Sequence, residues 1–234
     1  AGITLAMAIL PEELPVVLTL FLGLGAWRMA QSRVLTRRVP ALEMLGSATV
    51  LCVDKTGTLT QNRMTLARMY ARGQTLDLSD TDTTELPEMS HELLEFSMLA
   101  GRRDPFDPME QAIQKLTSQK LGGTEHVHLD WTLIDEYPLS RELLAMSRVW
   151  QSPDHHNYVI ASKGAPEAVF DLCHFAPKDT AELAQTATAM AAHGLRVLGV
   201  AKAAFQRGEL PAIQHDFVFE FLGLIGLADP IRET

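Results

Sequence analysis

Val50-Leu51-Cys52-Val53-Asp54-Lys55-Thr56-Gly57-Thr58-Leu59-Thr60 is the stretch on which the fold of this chain turns. Its apolar opening reads as a short buried parallel strand, and the strand ends in a carboxylate followed by a glycine turn. Open α/β sheets set their ligand crevices beyond the C-terminal ends of strands, which is where Asp54 is delivered. A carboxylate in that position is a candidate nucleophile toward a phosphoryl group. An aspartyl phosphate splits one difficult hydrolysis into two easier steps. Lys55 brings positive charge beside the dianion that forms, Thr56 and Thr58 supply hydroxyl donors, and Gly57 lets backbone amides come close to phosphate oxygens. Mg2+ would be needed to bridge carboxylate and phosphate.

Taken together, Asp54 to Thr60 resemble the phosphorylation signature of P-type cation-transporting ATPases. That resemblance implies that Asp54 is the residue phosphorylated by ATP, with Lys55 and Thr56 as its catalytic neighbours and Asp54 and Thr56 as Mg2+ ligands. It also implies a Rossmann-like phosphorylation domain of the haloacid-dehalogenase type.

Composition agrees with a globular enzyme fragment. Hydrophobic residues make up 47% of 234, enough for a core, and a net charge of −9 gives no footprint for nucleic acid. Cys52 and Cys173 lie far apart and form no CxxC pair, which suits a reducing compartment and excludes a thiolate metal site. The first residue is not Met and the last follows closely on a motif, so the chain is expected to be an internal piece of a longer protein.

Residues 1–27 are apolar on both sides of Pro11-Glu12-Glu13-Leu14-Pro15, and together they suffice for a bilayer span. Two carboxylates at membrane depth need a compensating reason. The prolines break the helix and free carbonyl oxygens which, with the glutamates, suit a hard cation. The stretch is similar to the Pro-Glu-Gly-Leu-Pro ion-binding break of calcium-pump-like P-type ATPases. By that likeness Glu12 and Glu13 ligate the transported cation, with Glu13 standing where glycine is usual. No cysteine lies in the break, which argues against a soft-metal pump. Arg28, Arg33, Arg37 and Arg38 mark the cytoplasmic flank of the span and the stalk beyond it.

Residues 61 to about 222 contain no second aspartate-ended apolar strand and read as an inserted α+β domain. Strands are expected at Met64–Ala71, Trp131–Tyr137, Leu143–Trp150, Tyr158–Ser162, Leu195–Ala201 and Asp216–Leu222. Helices are expected at His91–Ala100, Met109–Lys120, Pro166–Leu172 and Ala181–His193. Within the insertion, Lys163-Gly164-Ala165-Pro166-Glu167 puts an ammonium at the mouth of a pocket, with proline at the first helical position. These residues resemble the ATP-binding motif of the same family's nucleotide domain, so Lys163 and Gly164 are expected to bind ATP. By the same resemblance Glu110 is the adenine-side acid and Arg141 the arginine after the adenine platform. Arg196 is the later nucleotide-domain arginine, and Asp229 and Arg232 belong to an Asp-Pro-Pro-Arg hinge that here reads Asp-Pro-Ile-Arg.

Two positions depart from the family. Leu139 replaces the usual adenine-stacking phenylalanine and Leu144 a lysine. Leucine covers a base but has no π-face, so Tyr137 or Phe106 is the candidate substitute. Among eight histidines, the pairs His126/His128 and His155/His156 lack helical ligand spacing and further ligands.

The expected layout is a transmembrane helix with an ion-binding break (1–27) and a stalk (28–45). The first part of the phosphorylation domain (46–63) precedes the nucleotide-binding domain (64–222), and 223–234 return to the phosphorylation domain. The resemblance implies ATP and Mg2+ as cofactors and a membrane location with the catalytic domains cytoplasmic. Its implied partners are a hard cation such as calcium, membrane lipid, an actuator domain and further membrane helices. A soluble haloacid-dehalogenase phosphatase is the alternative, although such enzymes commonly carry an acid where this chain has Thr56. A nucleotide-binding piece without catalysis is the other.

Overall fold

The structure, a computed structural model, describes residues 13–34, 44–78, 86–154 and 156–232. Glu12, Arg37 and Arg38 lie outside the described residues, and so do the side chains of Glu13 and Thr56. The chain divides into two units, Ala1–Val53 and Asp54–Thr234.

In the first unit, helix α1 spans Glu13–Gln31. Pro15 sits in its opening turn, where a missing amide donor costs nothing. Its segment Leu14–Gln31 is long and apolar enough to cross a membrane, with none of it buried in the protein and Arg28 in its last turn. Residues 50–53 form no strand, and Val50 and Leu51 are about three-quarters exposed, at 77% and 76%. The buried parallel strand expected there is therefore absent. A strand forms only against a neighbour, and none of the described strands pairs with this run.

The second unit is built on one seven-stranded sheet. Its strands are β1 (Thr65–Ala71), β2 (Gln74–Asp77), β3 (Thr132–Tyr137), β4 (Ala145–Gln151), β5 (Asn157–Gly164), β6 (Arg196–Gln206) and β7 (Glu220–Ala228). They lie in the order β2-β1-β7-β6-β5-β4-β3, every pair antiparallel. Helices α2 (Glu88–Leu99) and α3 (Pro108–Leu121) cover one face. Their Leu93, Leu94 and Ile113 pack with Trp150, Val200, Ile225 and Leu227 of the sheet. Helices α4 (Pro166–Leu172) and α5 (Pro177–Ala192) cover the other face through Val169, Leu172, Phe170 and Met190. Proline opens α3, α4 and α5 at their first helical turn, and Asp107 caps α3 by accepting from the amides of Met109 and Glu110.

The sheet corrects the last strand expected in the insertion, Asp216–Leu222. Asp216 lies in a 3-10 turn, Gln214–Asp216, and β7 runs unbroken through Gly223 to Ala228 between β1 and β6. The boundary expected at 222/223 falls inside this strand. Gly223-Leu224-Ile225-Gly226-Leu227 is apolar because helices cover both faces of the sheet, a pattern shared with parallel strands of a Rossmann sheet. No parallel pair occurs among the described residues.

Because β7 closes against β1, the two ends of the sheet domain meet. Thr60 bridges Ile231, and Gln61 N–H donates to Pro230 O at 2.9 Å. This crossing sets the Asp54–Thr60 turn against the 229–232 segment.

Candidate nucleotide and phosphoryl site

Strand β5 runs alongside β4 so that Lys163 faces Met146 and Gly164 faces Ala145. A Cβ at Gly164 would lie 2.3 Å from the carbonyl oxygen of Leu144, which explains the glycine: the β4 backbone occupies that space. Lys163 emerges onto a cavity of about 750 Å3, within the size range of small-molecule sites. Its walls come from Glu110 and Ile113 of α3, Leu139 and Leu144 of the β3–β4 connection, Phe106, and Arg196 at the start of β6.

At the cavity floor the Lys163 ammonium donates to Glu110 Oε1 at 2.8 Å, with side-chain exposures of 6% and 14%. Glu110 Oε2 also accepts from the Arg102 amide at 3.3 Å. Burial lowers the Lys163 pKa from its ordinary value, and the bond to Glu110 only partly opposes it while Arg148 adds repulsion. For Glu110, burial pulls upward, yet the hydrogen bond and charge of Lys163, with the Arg102 amide and the charge of Arg148, outweigh it and hold the carboxyl below its ordinary value. Gly101 packs so closely that a Cβ there would sit 2.9 Å from Lys163 Nζ.

A second cavity, of about 280 Å3, is lined by Lys55, Asn62, Asp107, Gly194, Arg196 and Asp229 among others. Arg196 and Asp107 line both cavities. Arg196 thus lines both the cavity that holds Lys163 and the one that Lys55 lines, alongside the carboxylates of Asp107 and Asp229 in the smaller one.

Asp54 itself has extended backbone, φ −68° and ψ 142°, is exposed, and precedes a π-helical turn over Lys55–Leu59. Gly57, at φ 79°, occupies the left-handed region that the turn requires. Buried Thr60 locks the turn: its Oγ1 accepts from the Gly57 amide at 3.2 Å and donates to Asp229 Oδ2 at 2.5 Å.

Asp229, Arg232 and Arg141, expected at the hinge and beside the adenine platform, lie away from the larger cavity. Asp229 is committed to Thr60 and to the Arg63 amide, 3.3 Å from Oδ1, and it lines the smaller cavity rather than the larger. Arg232 is spent on carbonyls of the turn, its Nε donating to Thr60 O at 3.0 Å and its Nη2 to Gly57 O at 2.9 Å. Both residues shape the Asp54 turn. Arg141 is exposed on the β3–β4 connection and does not line the cavity, because the bend at 141–142 carries it outward while Leu139 and Leu144 remain on the wall. Tyr137 is no base platform either: its hydroxyl donates to Pro211 O at 2.6 Å and its ring meets Phe217 edge-on in the core of the opposite face.

Arg148 was not among the expected residues. Only 5% exposed, it pairs with Glu136 at 2.7 Å, and its charge acts on both Glu110 and Lys163. A lone arginine inside the otherwise uncharged strand Ala145-Met146-Ser147-Arg148-Val149-Trp150 was the available signal.

Of the two residues expected to hold Mg2+, Asp54 is described and exposed, and the side chain of Thr56 lies outside the described residues. Among the described residues no group of three or more His, Cys, Asp or Glu is arranged to hold a metal, and Asp54 is a single carboxylate. His126 and His128 both turn to buried Glu95, at 2.6 and 2.7 Å.

The family profile described as "P-type ATPase, cytoplasmic domain N" matches residues 106–234. Over 99% of its length the chain is 30% identical to a calcium-transporting ATPase of Bacillus subtilis, covering 30% of that protein. It is 32% identical over 99% of its length to the probable cation-transporting ATPase F of Mycobacterium tuberculosis, covering 29% of it. The same identity and coverage of this chain relate it to the cation-transporting ATPase pma1 of Synechocystis, of which it covers 30%. The chain therefore spans under a third of the length of these relatives.

Proposed function

The chain belongs to the P-type ATPase family and carries its cytoplasmic N domain, and from that premise we propose that the whole protein couples ATP hydrolysis to movement of a hard cation across a membrane. The N domain is assigned to residues 64–228, the start of the phosphorylation domain to 46–63, the stalk to 28–45 and the membrane helix with its ion-binding break at Glu12 and Glu13 to 1–27. The observation that carries the reading is Arg196 on the wall of both cavities, between the Lys163–Glu110 floor and Lys55. The adenosine of ATP fills the larger cavity, its phosphates pass Arg196, and the γ-phosphoryl is presented toward Asp54.

In the chemical step an Asp54 carboxylate oxygen attacks the γ-phosphorus; the new O–P bond forms as the bond to the bridging oxygen breaks, and ADP leaves. Water later cleaves the acyl phosphate. Lys55 and Arg196 contribute fixed positive charge where phosphate charge gathers. Mg2+ would accompany ATP and neutralise phosphate charge, with Asp54 and Thr56 as the candidate ligands from this chain. The Bacillus relative is a calcium-transporting ATPase, which makes calcium the leading ion. Membrane lipid, an actuator domain and further membrane helices complete the proposed assembly.

The test uses the full-length protein in membranes, labelled from γ-phosphate-tagged ATP with Mg2+ and one candidate cation at a time. Calcium is expected to promote a hydroxylamine-sensitive phosphoprotein that Asp54→Asn abolishes and Glu12→Gln weakens. Label that persists in Asp54→Asn would overturn the assignment of the nucleophile, and label indifferent to every cation would favour a phosphatase.

A further inference from the structure

The larger cavity has a mouth whose chemistry its charged floor does not explain. Phe106 is 84% exposed there, and Leu139 and Leu144, 58% and 48% exposed, line the same space from the β3–β4 connection. Single exposed apolar residues are ordinary, but three that share one cavity form a surface waiting for a flat apolar group. Among the described residues lining that cavity, Phe106 is the one aromatic.

The backbone that carries the ring is also held in place. Pro105 before it is buried and its carbonyl accepts from Gln111 Nε2 at 3.0 Å. Gln114 Nε2 donates to Arg103 O at 2.8 Å, and Asp107 after it caps α3. The loop 102–107 is thus fastened to α3 on both sides of Phe106, so little backbone freedom remains to be lost when a ligand covers the ring.

We propose that Phe106 is the aromatic platform on which the purine of the bound nucleotide stacks, with Leu139 and Leu144 covering the remaining base surface. The aromatic face then comes from the loop before α3, and the β3–β4 connection supplies only aliphatic cover. The proposal rests on the ATP reading of the cavity, and its test separates the two.

The 234-residue chain in detergent micelles is titrated calorimetrically with ATP and, separately, with inorganic tripolyphosphate. Phe106→Ala and Phe106→Leu are each expected to bind ATP about tenfold more weakly, the scale of losing one base–aromatic stack. Phe106→Trp keeps the wild-type affinity or exceeds it, and Leu139→Phe added to Phe106→Ala restores most of the loss. Tripolyphosphate binds all these variants alike, since it has no base.

Phe106→Leu at full ATP affinity would overturn the platform, because apolar area without a π-face would then suffice. Equal weakening toward tripolyphosphate would overturn it too, by showing that the substitution disturbs the phosphate end. If Phe106→Ala leaves ATP binding intact while Lys163→Ala removes it, the platform fails and the ATP site stands. If the wild-type chain binds no ATP, the reading beneath both fails.

Discussion

Lys163 and Glu110 are each nearly covered, and each is tolerable only because of the other. Removing one partner of a buried pair leaves the other uncompensated, typically about 3–5 kcal/mol destabilising. Glu110→Gln is therefore expected to lower the unfolding midpoint more than the double variant Glu110→Gln/Lys163→Met does, and chemical denaturation of the three proteins checks this. Acid adds a second reading. The folded pKa of Glu110 lies below its ordinary 4.5, so its stabilisation is complete above that value and is lost as pH falls through the depressed one. Melting followed below pH 4.5 should show an acid-sensitive component in the wild type that Glu110→Gln lacks. Lys163 acts at the other end of the scale. Burial lowers its pKa from the ordinary 10.5, so the folded chain releases that proton first and stability gains as pH rises through the window below 10.5.

At the scale of elements, the pairing of β7 with β1 depends on Gly223. A Cβ there would lie 2.1 Å from the carbonyl oxygen of Tyr70 on β1, a backbone atom that cannot swing aside. Gly73, at φ 80° in the two-residue Arg72–Gly73 turn, has no atom within 4 Å of such a Cβ. Gly73→Ala should lose about 1 kcal/mol through backbone strain alone, and Gly223→Ala about 3 kcal/mol or more through forced separation of the strands. Urea midpoints compare them, and equal losses would mean that β7 can shift away from Tyr70. The same strand shows where sequence reasoning stopped. Proline starts and helical spacing located α2 to α4 closely, and the short apolar runs located β1 and β3 to β5, because these signals are local. Nothing local says that Glu220–Ala228 inserts between β1 and β6, or that Val50–Val53 pairs with none of the described strands. Apolar runs look alike whether a strand is covered by helices in a parallel sheet or an antiparallel one. At the site, motif residues Lys163 and Glu110 were legible as separate charges, but their contact needs α3 to lie across β5. The contacts of Asp229 and Arg232 were not legible for the same reason, since their partners Thr60 and Gly57 lie far back in the chain.

At the scale of the whole molecule, binding and turnover separate. The larger cavity is complete within the Asp54–Thr234 unit, with floor, walls and apolar mouth all supplied by residues between Arg102 and Leu198. The phosphoryl site is not. Asp54 is exposed, no metal-holding group accompanies it among the described residues, and Val50 and Leu51 before it stand open to solvent. Phosphoryl transfer depends almost wholly on positioning and on charge stabilisation in a water-poor site, and an exposed carboxylate with one lysine beside it has little of either. The 234-residue chain is accordingly expected to bind ATP, measurably by calorimetry, while forming no acid-stable phosphoprotein and releasing no phosphate above background. Lys163→Ala should abolish the binding, whereas Asp54→Asn should leave it unchanged, because Asp54 does not line the cavity that holds the nucleoside. Steady phosphate release from the chain alone, lost in Asp54→Asn, would show that the Asp54 turn is competent without further ligands. The donors needed for charge stabilisation would then have to come from Lys55, Arg196 and solvent-bound metal.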